Sequence, residues 1–239
     1  MRINWNYIKM TVLLGLVIFL FAFASQRNAL RKISDPKVKF IGENSLYVTN
    51  EAVSKLLIQN YGGVKNVPKE TLDLNNLENA LKSNPMIKKA EVYLAVNGTL
   101  NAEIEQRTPI ARVSTNASYY IDGEGLYMPL STNYSARVPL VTGYVEKNKL
   151  KSIYKVAKKI RNDEFLKKHV IEIHQSRNKS LYLKLRQCPF IVQLGDVSFL
   201  DKKINNLKAF YQKNLKEKTF NNYSKINLQF DNQVICTKR

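Results

Sequence analysis

The chain has 239 residues, enough for one large domain or two small ones. Hydrophobic residues make up 44% of it and aromatic residues 10%, which excludes a wholly disordered protein. Basic residues outnumber acidic ones by 38 to 19, and the formal net charge of +19 indicates an anionic neighbour such as lipid headgroups, nucleic acid or an acidic polymer. The alternative is a solubility effect, which the even spread of lysines along the chain favours.

An uncharged apolar run, Met10–Ala24, predicts a membrane helix. Fifteen helical residues cover only ~23 Å of a ~30 Å hydrocarbon layer, so we expect Tyr7–Ile8 to extend the span. We therefore predict a cytoplasmic tail at 1–9, a transmembrane helix at 10–26 and a polar linker at 27–36.

A cleavable signal peptide is the alternative interpretation of the same segment. Ala22-Phe23-Ala24 fits the small-residue pattern of a cleavage site. The length of the apolar run and the closely following Arg27 favour a retained anchor. Basic residues flank both ends of the run and do not fix its orientation. Because long domains translocate largely regardless of charge, we expect the part after the helix to be exported.

The pattern of apolar and polar residues over 37–110 predicts the element order strand, helix, helix, strand, strand. Val38 and Phe40 alternate with lysines, as in a half-buried strand. Two further alternating runs, 90–96 and 100–105, predict a β-hairpin. The apolar positions of these patterns predict a common core: Val38, Phe40, Leu56, Leu77, Leu81, Val92, Leu94 and Ile104.

The ends of these elements carry capping and turn signals. Thr49 is predicted to cap the first helix, which Gly62-Gly63 ends. Asn75, with Glu78 three residues on, predicts a capping box at the start of the second helix. Asn97-Gly98 predicts a two-residue type I′ turn in the hairpin.

Residues 111–239 predict a β-rich domain with two helices. The helices are expected around Leu150–Ile160, with a basic outer face, and from Ser198 to Leu215, with Ser198 and Asp201 as capping residues. Short strands are predicted at Ile110–Ser114, Tyr119–Ile121, Leu126–Pro129, Val170–Ile173, Ser180–Leu185, Phe190–Leu194 and Ile226–Cys236. The last strand is interrupted by the turn-prone pair Asp231-Asn232. The fold class is therefore α+β.

No catalytic constellation is evident in the chain. His169 and His174 form no zinc-ligand array with Cys188, and a Cys-His catalytic pair is a remote alternative. Two cysteines, Cys188 and Cys236, are too few for a disulfide framework, and we expect unpaired thiols, although an oxidising compartment would permit pairing. Phosphate-binding and dinucleotide-binding glycine motifs are missing, and lysines and tyrosines form no nucleic-acid-binding motif. We predict no enzyme, no cofactor, no metal and no nucleic-acid partner.

Several local motifs occur in a characteristic order. In the first part they are Val38-x-x-Ile41-Gly42, Pro85-x-Ile87-x-x-Ala90-x-Val92 and Glu105-x-Arg107-x-Pro109-x-Ala111. In the second part they are Tyr120-Ile121-Asp122-x-x-Gly125, Val138-Pro139-Leu140-Val141-x-Gly143, Val192-x-Leu194-Gly195 and Ile226-Asn227-Leu228-Gln229-Phe230. In order and spacing the chain resembles the FtsQ/DivIB family of bacterial division proteins.

The resemblance implies a short cytoplasmic tail, one membrane helix, a POTRA domain (βααββ) at 37–110 and a β domain at 111–239. It further implies a non-enzymatic scaffold in the plasma (inner) membrane at the division septum, single-pass, with the amino terminus cytoplasmic and the bulk of the chain periplasmic. The implied partners are bitopic division proteins of the FtsB and FtsL types, together with the membrane. The charge adds an expected contact with an anionic cell-envelope polymer. The alternative is a secreted or periplasmic POTRA-type chaperone or assembly factor after signal cleavage.

Partner binding is expected at a strand edge, where unpaired backbone groups can template an incoming strand. The resemblance places this contact at the end of the β domain. The predicted partner-binding residues are Ile226, Leu228, Phe230, Asp231, Val234 and Ile235. Because side chains alternate between faces, some of these residues are alternatively expected to fill the core.

Overall fold

A computed structural model of the chain describes residues 5–29, 34–42, 46–59, 72–95, 97–230 and 233–239. Its contacts divide the chain into two compact units, Met1–Gln106 and Arg107–Arg239. The predicted helix end at Gly62-Gly63 lies outside the described residues.

Helix α1, Trp5–Ala29, contains the predicted membrane segment. Its stretch Trp5–Arg27 is long and apolar enough to cross a membrane, and none of it is buried. The 23 residues of that stretch extend for about 35 Å, enough for a ~30 Å hydrocarbon layer. The helix includes Tyr7 and Ile8, as the length argument predicts.

The rest of the first unit confirms the βααββ order. Its elements are β1 (Ser34–Ile41), α2 (Asn50–Gln59), α3 (Leu74–Lys82), β2 (Ile87–Leu94) and β3 (Thr99–Gln106). The strands form a three-stranded sheet in the order β1-β3-β2, with β1 parallel and β2 antiparallel to β3.

Alternate residues of this sheet pack against one face of each helix. Leu77 and Leu81 of α3, with Val92 and Ile104 of the hairpin, are at most 5% exposed, as predicted. The other predicted core residues are partly buried against the same cluster: Val38, Phe40, Leu56 and Leu94.

Two local predictions in this unit are wrong. The N-cap of α3 is Asp73, whose carboxylate accepts a hydrogen bond from the Asn76 amide, so no capping box begins at Asn75. In the hairpin the Ala95 amide donates to the Thr99 carbonyl, the Gly98 amide donates to the Ala95 carbonyl, and Gly98 has a φ of +85°. This is the glycine-bulge loop, which differs from a two-residue type I′ turn.

In its described residues, the second unit contains a nine-stranded sheet and three α-helices. Its strands are β4 (Pro109–Ser114), β5 (Ser118–Asp122), β6 (Tyr127–Met128), β7 (Leu140–Gly143), β8 (Val170–Gln175), β9 (Leu181–Leu185), β10 (Ile191–Gly195), β11 (Tyr223–Asn227) and β12 (Ile235–Lys238). The helices are α4 (Lys151–Asn162), α5 (Glu164–His169) and α6 (Leu200–Glu217), and one 3-10 turn covers Phe220–Asn222. The short helix α5 adds to the two helices expected from the sequence.

The helices follow from the direction of strand pairing. The strand pairs β7–β8 and β10–β11 are parallel, and parallel neighbours need a crossover connection. Helices α4 and α5 form the first crossover, and α6 forms the second. The buried faces of α4 and α6 share one hydrophobic core with alternate residues of the sheet.

The start of α6 differs from its predicted cap. The N-cap residue is Phe199, with φ at +50° and no side-chain capping hydrogen bond. Ser198 instead donates its hydroxyl to the Asp196 carboxylate, which also accepts from the buried Lys203 ammonium. The lysine therefore fixes the turn before α6 in place of a hydroxyl cap.

Candidate partner-binding edge

The sheet of the second unit has two unlike edges. Its strand order is β12-β11-β10-β9-β8-β7-β4-β5-β6. One edge is the two-residue β6, and the other is the four-residue β12, whose outer side pairs with no described strand. An unpaired strand edge presents backbone donors and acceptors to an incoming strand.

The segment predicted as one last strand is two antiparallel strands. Tyr223–Asn227 and Ile235–Lys238 pair with Ile226 opposite Cys236 and Asn227 opposite Ile235. The chain reverses between β11 and β12, so β12 rather than β11 becomes the edge. The edge therefore lies nearer the carboxyl terminus than the single-strand prediction implies.

Backbone and side-chain contacts hold β12 in place. The Ser224 hydroxyl donates to the Thr237 carbonyl at 3.2 Å. The Arg239 amide donates to the Asn222 carbonyl at 3.0 Å, and its guanidinium donates to the Pro189 carbonyl at 3.2 Å. The edge strand is thus fastened at its end, which preorganises it for pairing.

Residue register separates the two faces of this edge. One row of cross-strand partners has side chains that face the helices, and its members from β4 to β11 are buried. The row consists of Val113, Val141, Ile173, Leu183, Val192, Ile226 and Cys236. The flanking row lies on the opposite side of the sheet: Thr142, His174, Tyr182, Gln193, Asn227 and Ile235. We call this opposite side, away from the helices, the open face.

The predicted site residues are distributed over both faces. Ile226 and Leu228 are 0% and 1% exposed and belong to the core, so their side chains are not available to a partner. Val234 is partly buried against the same core. Phe230 and Ile235 are 47% and 43% exposed, and Asp231 lies outside the described residues.

A cavity on the open face begins next to the edge. Its volume is about 560 Å³, and its lining includes Tyr182, Lys184, Ile191 and Lys225. Ile191 is exposed and pairs in register with Lys225 of β11. The sequence prediction missed these residues because β10 and β11 become neighbours only through the α6 crossover.

The cysteine and histidine side chains considered for catalysis lie in surroundings that indicate a structural role. Burial raises the pKa of the Cys188 thiol to about 11, the opposite of an activated thiolate. The His169 imidazole lies against Phe165 and Tyr211, with its Nδ1 2.8 Å from the Phe165 carbonyl oxygen. Within the described residues, no group of three or more His, Cys, Asp or Glu side chains is arranged to hold a metal ion.

Comparisons with known proteins identify the family. Residues 42–105 match a POTRA-like domain model, and residues 108–237, more than half of the chain, match the model described as FtsQ/DivIB, C-terminal related. The chain is 24% identical over 179 residues to a cell division protein FtsQ from Geotalea daltonii. That alignment covers 70% of this chain and 64% of the relative. With its single long apolar helix, POTRA-like first unit and β-rich second unit, the chain belongs to the FtsQ/DivIB family of cell-division proteins.

Proposed function

We propose that the protein is a non-enzymatic scaffold of the division complex that links other division proteins through its second unit. The family assigns it to cell division, and one helix is long and apolar enough for a single membrane span. In the proposed arrangement the amino terminus is cytoplasmic, and both units are exported at the septum of the inner membrane.

The observation that carries this proposal is the free edge of β12. No described strand pairs with its outer side, whereas the opposite edge of the sheet is only two residues long. An extended partner segment that adds to β12 gains main-chain hydrogen bonds, and its alternate side chains meet the exposed Ile235 and Phe230. The proposed partners are bitopic division proteins of the FtsB and FtsL types.

Exposed apolar side chains beside an unpaired edge give such a contact its specificity. An aromatic anchor that loses water on binding contributes about 2 kcal/mol or more, a factor of about thirty in affinity. Phe230 and Ile235 flank the reversal between β11 and β12, and both side chains are exposed.

The test measures partner affinity of the double variant Phe230→Ala/Ile235→Ala. The full chain in detergent is titrated with the exported part of an FtsB-type partner, and we expect affinity to fall about thirtyfold or more. Leu126→Ala is the matched control, because Leu126 is 51% exposed beside the opposite edge strand β6. Wild-type affinity in the double variant would reject β12 as the partner edge.

A further inference from the structure

Positive charge is concentrated on the helices of the second unit, although lysines are spread evenly along the sequence. Helix α4 contains five basic and no acidic side chains. Helix α6 contains five basic and two acidic side chains. These helices cover the side of the sheet opposite the open face, so the charge lies away from the cavity beside β12.

The exposed lysines of α4 form one stripe. Lys151, Lys155 and Lys158 follow the spacing i, i+4, i+7, which places them on one face of a helix. The opposite face carries the core residues of α4: Ile153, Val156, Ala157 and Ile160. Exposed lysines also lie along α6, at Lys202, Lys213 and Lys216. We call these six side chains the lysine face.

Two acidic residues beside these helices, Asp201 and Asp163, are bound to lysines outside the lysine face. Asp201 pairs with Lys159, and Asp163 pairs with Lys208, so two ion pairs join α4 and its C-cap to α6. Among the described residues, none of the six lysines of the lysine face forms a salt bridge. The two interhelical ion pairs therefore use lysines other than those of the lysine face.

We infer that the lysine face binds a phosphate-bearing polyanion, a polymer of repeating charged groups in the cell envelope. Lysine ammonium groups bind phosphate as point charges on flexible stems. The rows run along two helices and offer successive cations to a repeating anion. The envelope location rests on the outward orientation proposed above, but the binding itself does not.

The same features favour a soluble polymer over lipid headgroups. Helices that lie on membranes bury an apolar face in the acyl boundary, but the apolar face of α4 is already used by the protein core. Tyr154 lies beside Lys151, Lys155 and Lys158, but its ring is partly buried and its hydroxyl donates to the Gly123 carbonyl. Binding by this surface is therefore electrostatic, and it should weaken steeply with salt.

The test uses the full chain in neutral detergent and fluorescent linear polyphosphate as the probe. Lys151→Gln/Lys155→Gln/Lys158→Gln should lower affinity at 0.15 M salt by on the order of tenfold or more, and should lower the salt slope by about two. Lys37→Gln/Lys55→Gln/Lys89→Gln is the matched control, since it removes the same charge at exposed sites of the first unit. The screening length at this salt is about 8 Å, so the control should bind as the wild type does.

Three results would overturn the inference. Equal losses in the two triple variants would mean that net charge alone attracts the probe. A wild-type chain that does not bind polyphosphate at 0.15 M salt, but associates with phosphatidylglycerol vesicles more strongly than with phosphatidylcholine vesicles and loses that difference in the α4 triple variant, would make the lysine face a lipid surface. Failure of arginine at the same three α4 positions to retain binding, with an unchanged melting temperature, would show that charge is not the determinant.

Discussion

Glu78 links a helix of the first unit to the neighbouring hairpin. Its carboxylate accepts a hydrogen bond from the Lys82 ammonium at 2.9 Å and from the Val92 amide at 3.0 Å. These hydrogen bonds, with that from Lys82 the larger cause, lower the pKa of the Glu78 carboxyl below its ordinary value. The residue therefore attaches α3 to β2 in addition to the core packing between them.

This pKa shift predicts a dependence of stability on pH. A carboxyl group whose pKa is lower in the folded chain stabilises the fold above its unfolded pKa, near 4.3, and this contribution is lost as pH falls through the folded pKa. Glu78→Gln should accordingly speed hydrogen exchange in β2 at pH 7, and the difference from wild type should shrink in acid. The exposed Glu91→Gln is the control, and the same loss of protection there would assign the effect to general charge.

The sequence predicts the role of Glu78 only in part. Its spacing from Asn75 resembles a capping box, but the hydrogen bonds that it makes reach forward by four residues and across to a strand fourteen residues away. A local motif reports spacing along the chain, and the contact with Val92 depends on the packing of α3 on the sheet. Asp73 takes the capping role because its carboxylate reaches the Asn76 amide.

At the scale of elements, the two faces of the sheet at β11 and β12 have different surroundings. Ile226 lies in the core row, whereas Ile235 lies on the open face opposite Asn227. Ile226→Ala should lower the free energy of unfolding by about 2–5 kcal/mol, because it leaves a cavity in a packed core. Ile235→Ala should change it by less than about 0.5 kcal/mol, as is usual at exposed sites.

Urea denaturation of the full chain in detergent, followed by circular dichroism, measures both variants. The wild-type chain and Leu126→Ala provide the references. Equal destabilisation by the two substitutions would place Ile235 in the core and would remove the distinction between the two faces.

The sequence predicts the elements whose apolar residues recur with a clear period. It does not predict which strands become neighbours in the sheet. The hairpin of the first unit follows from alternating apolar residues, and both basic helices of the second unit follow from their apolar stripes. The alternation from Ile226 onward continues past Asp231-Asn232 in the sequence, so it does not reveal that the chain reverses between β11 and β12. The edge position of β12 depends on that reversal and on the α6 crossover.

At the scale of the molecule, the family and its membrane helix are consistent with a chain anchored at its amino terminus. We expect the helix Trp5–Ala29 to be retained after export. The mature protein should therefore have the intact mass of the full sequence, and protease added to spheroplasts should degrade both units. A mature amino terminus at Ser25 would instead establish a cleaved signal sequence.

The proposed scaffold is tested most directly by amide hydrogen exchange of the full chain with and without an FtsB-type partner. If a partner strand adds to the edge, the amides of Ile235–Lys238 should become protected on binding, since some of them gain a carbonyl acceptor. The opposite edge, Tyr127–Met128, should exchange as in the free chain. Saturating partner that leaves exchange in β12 unchanged while protecting another surface would contradict the account.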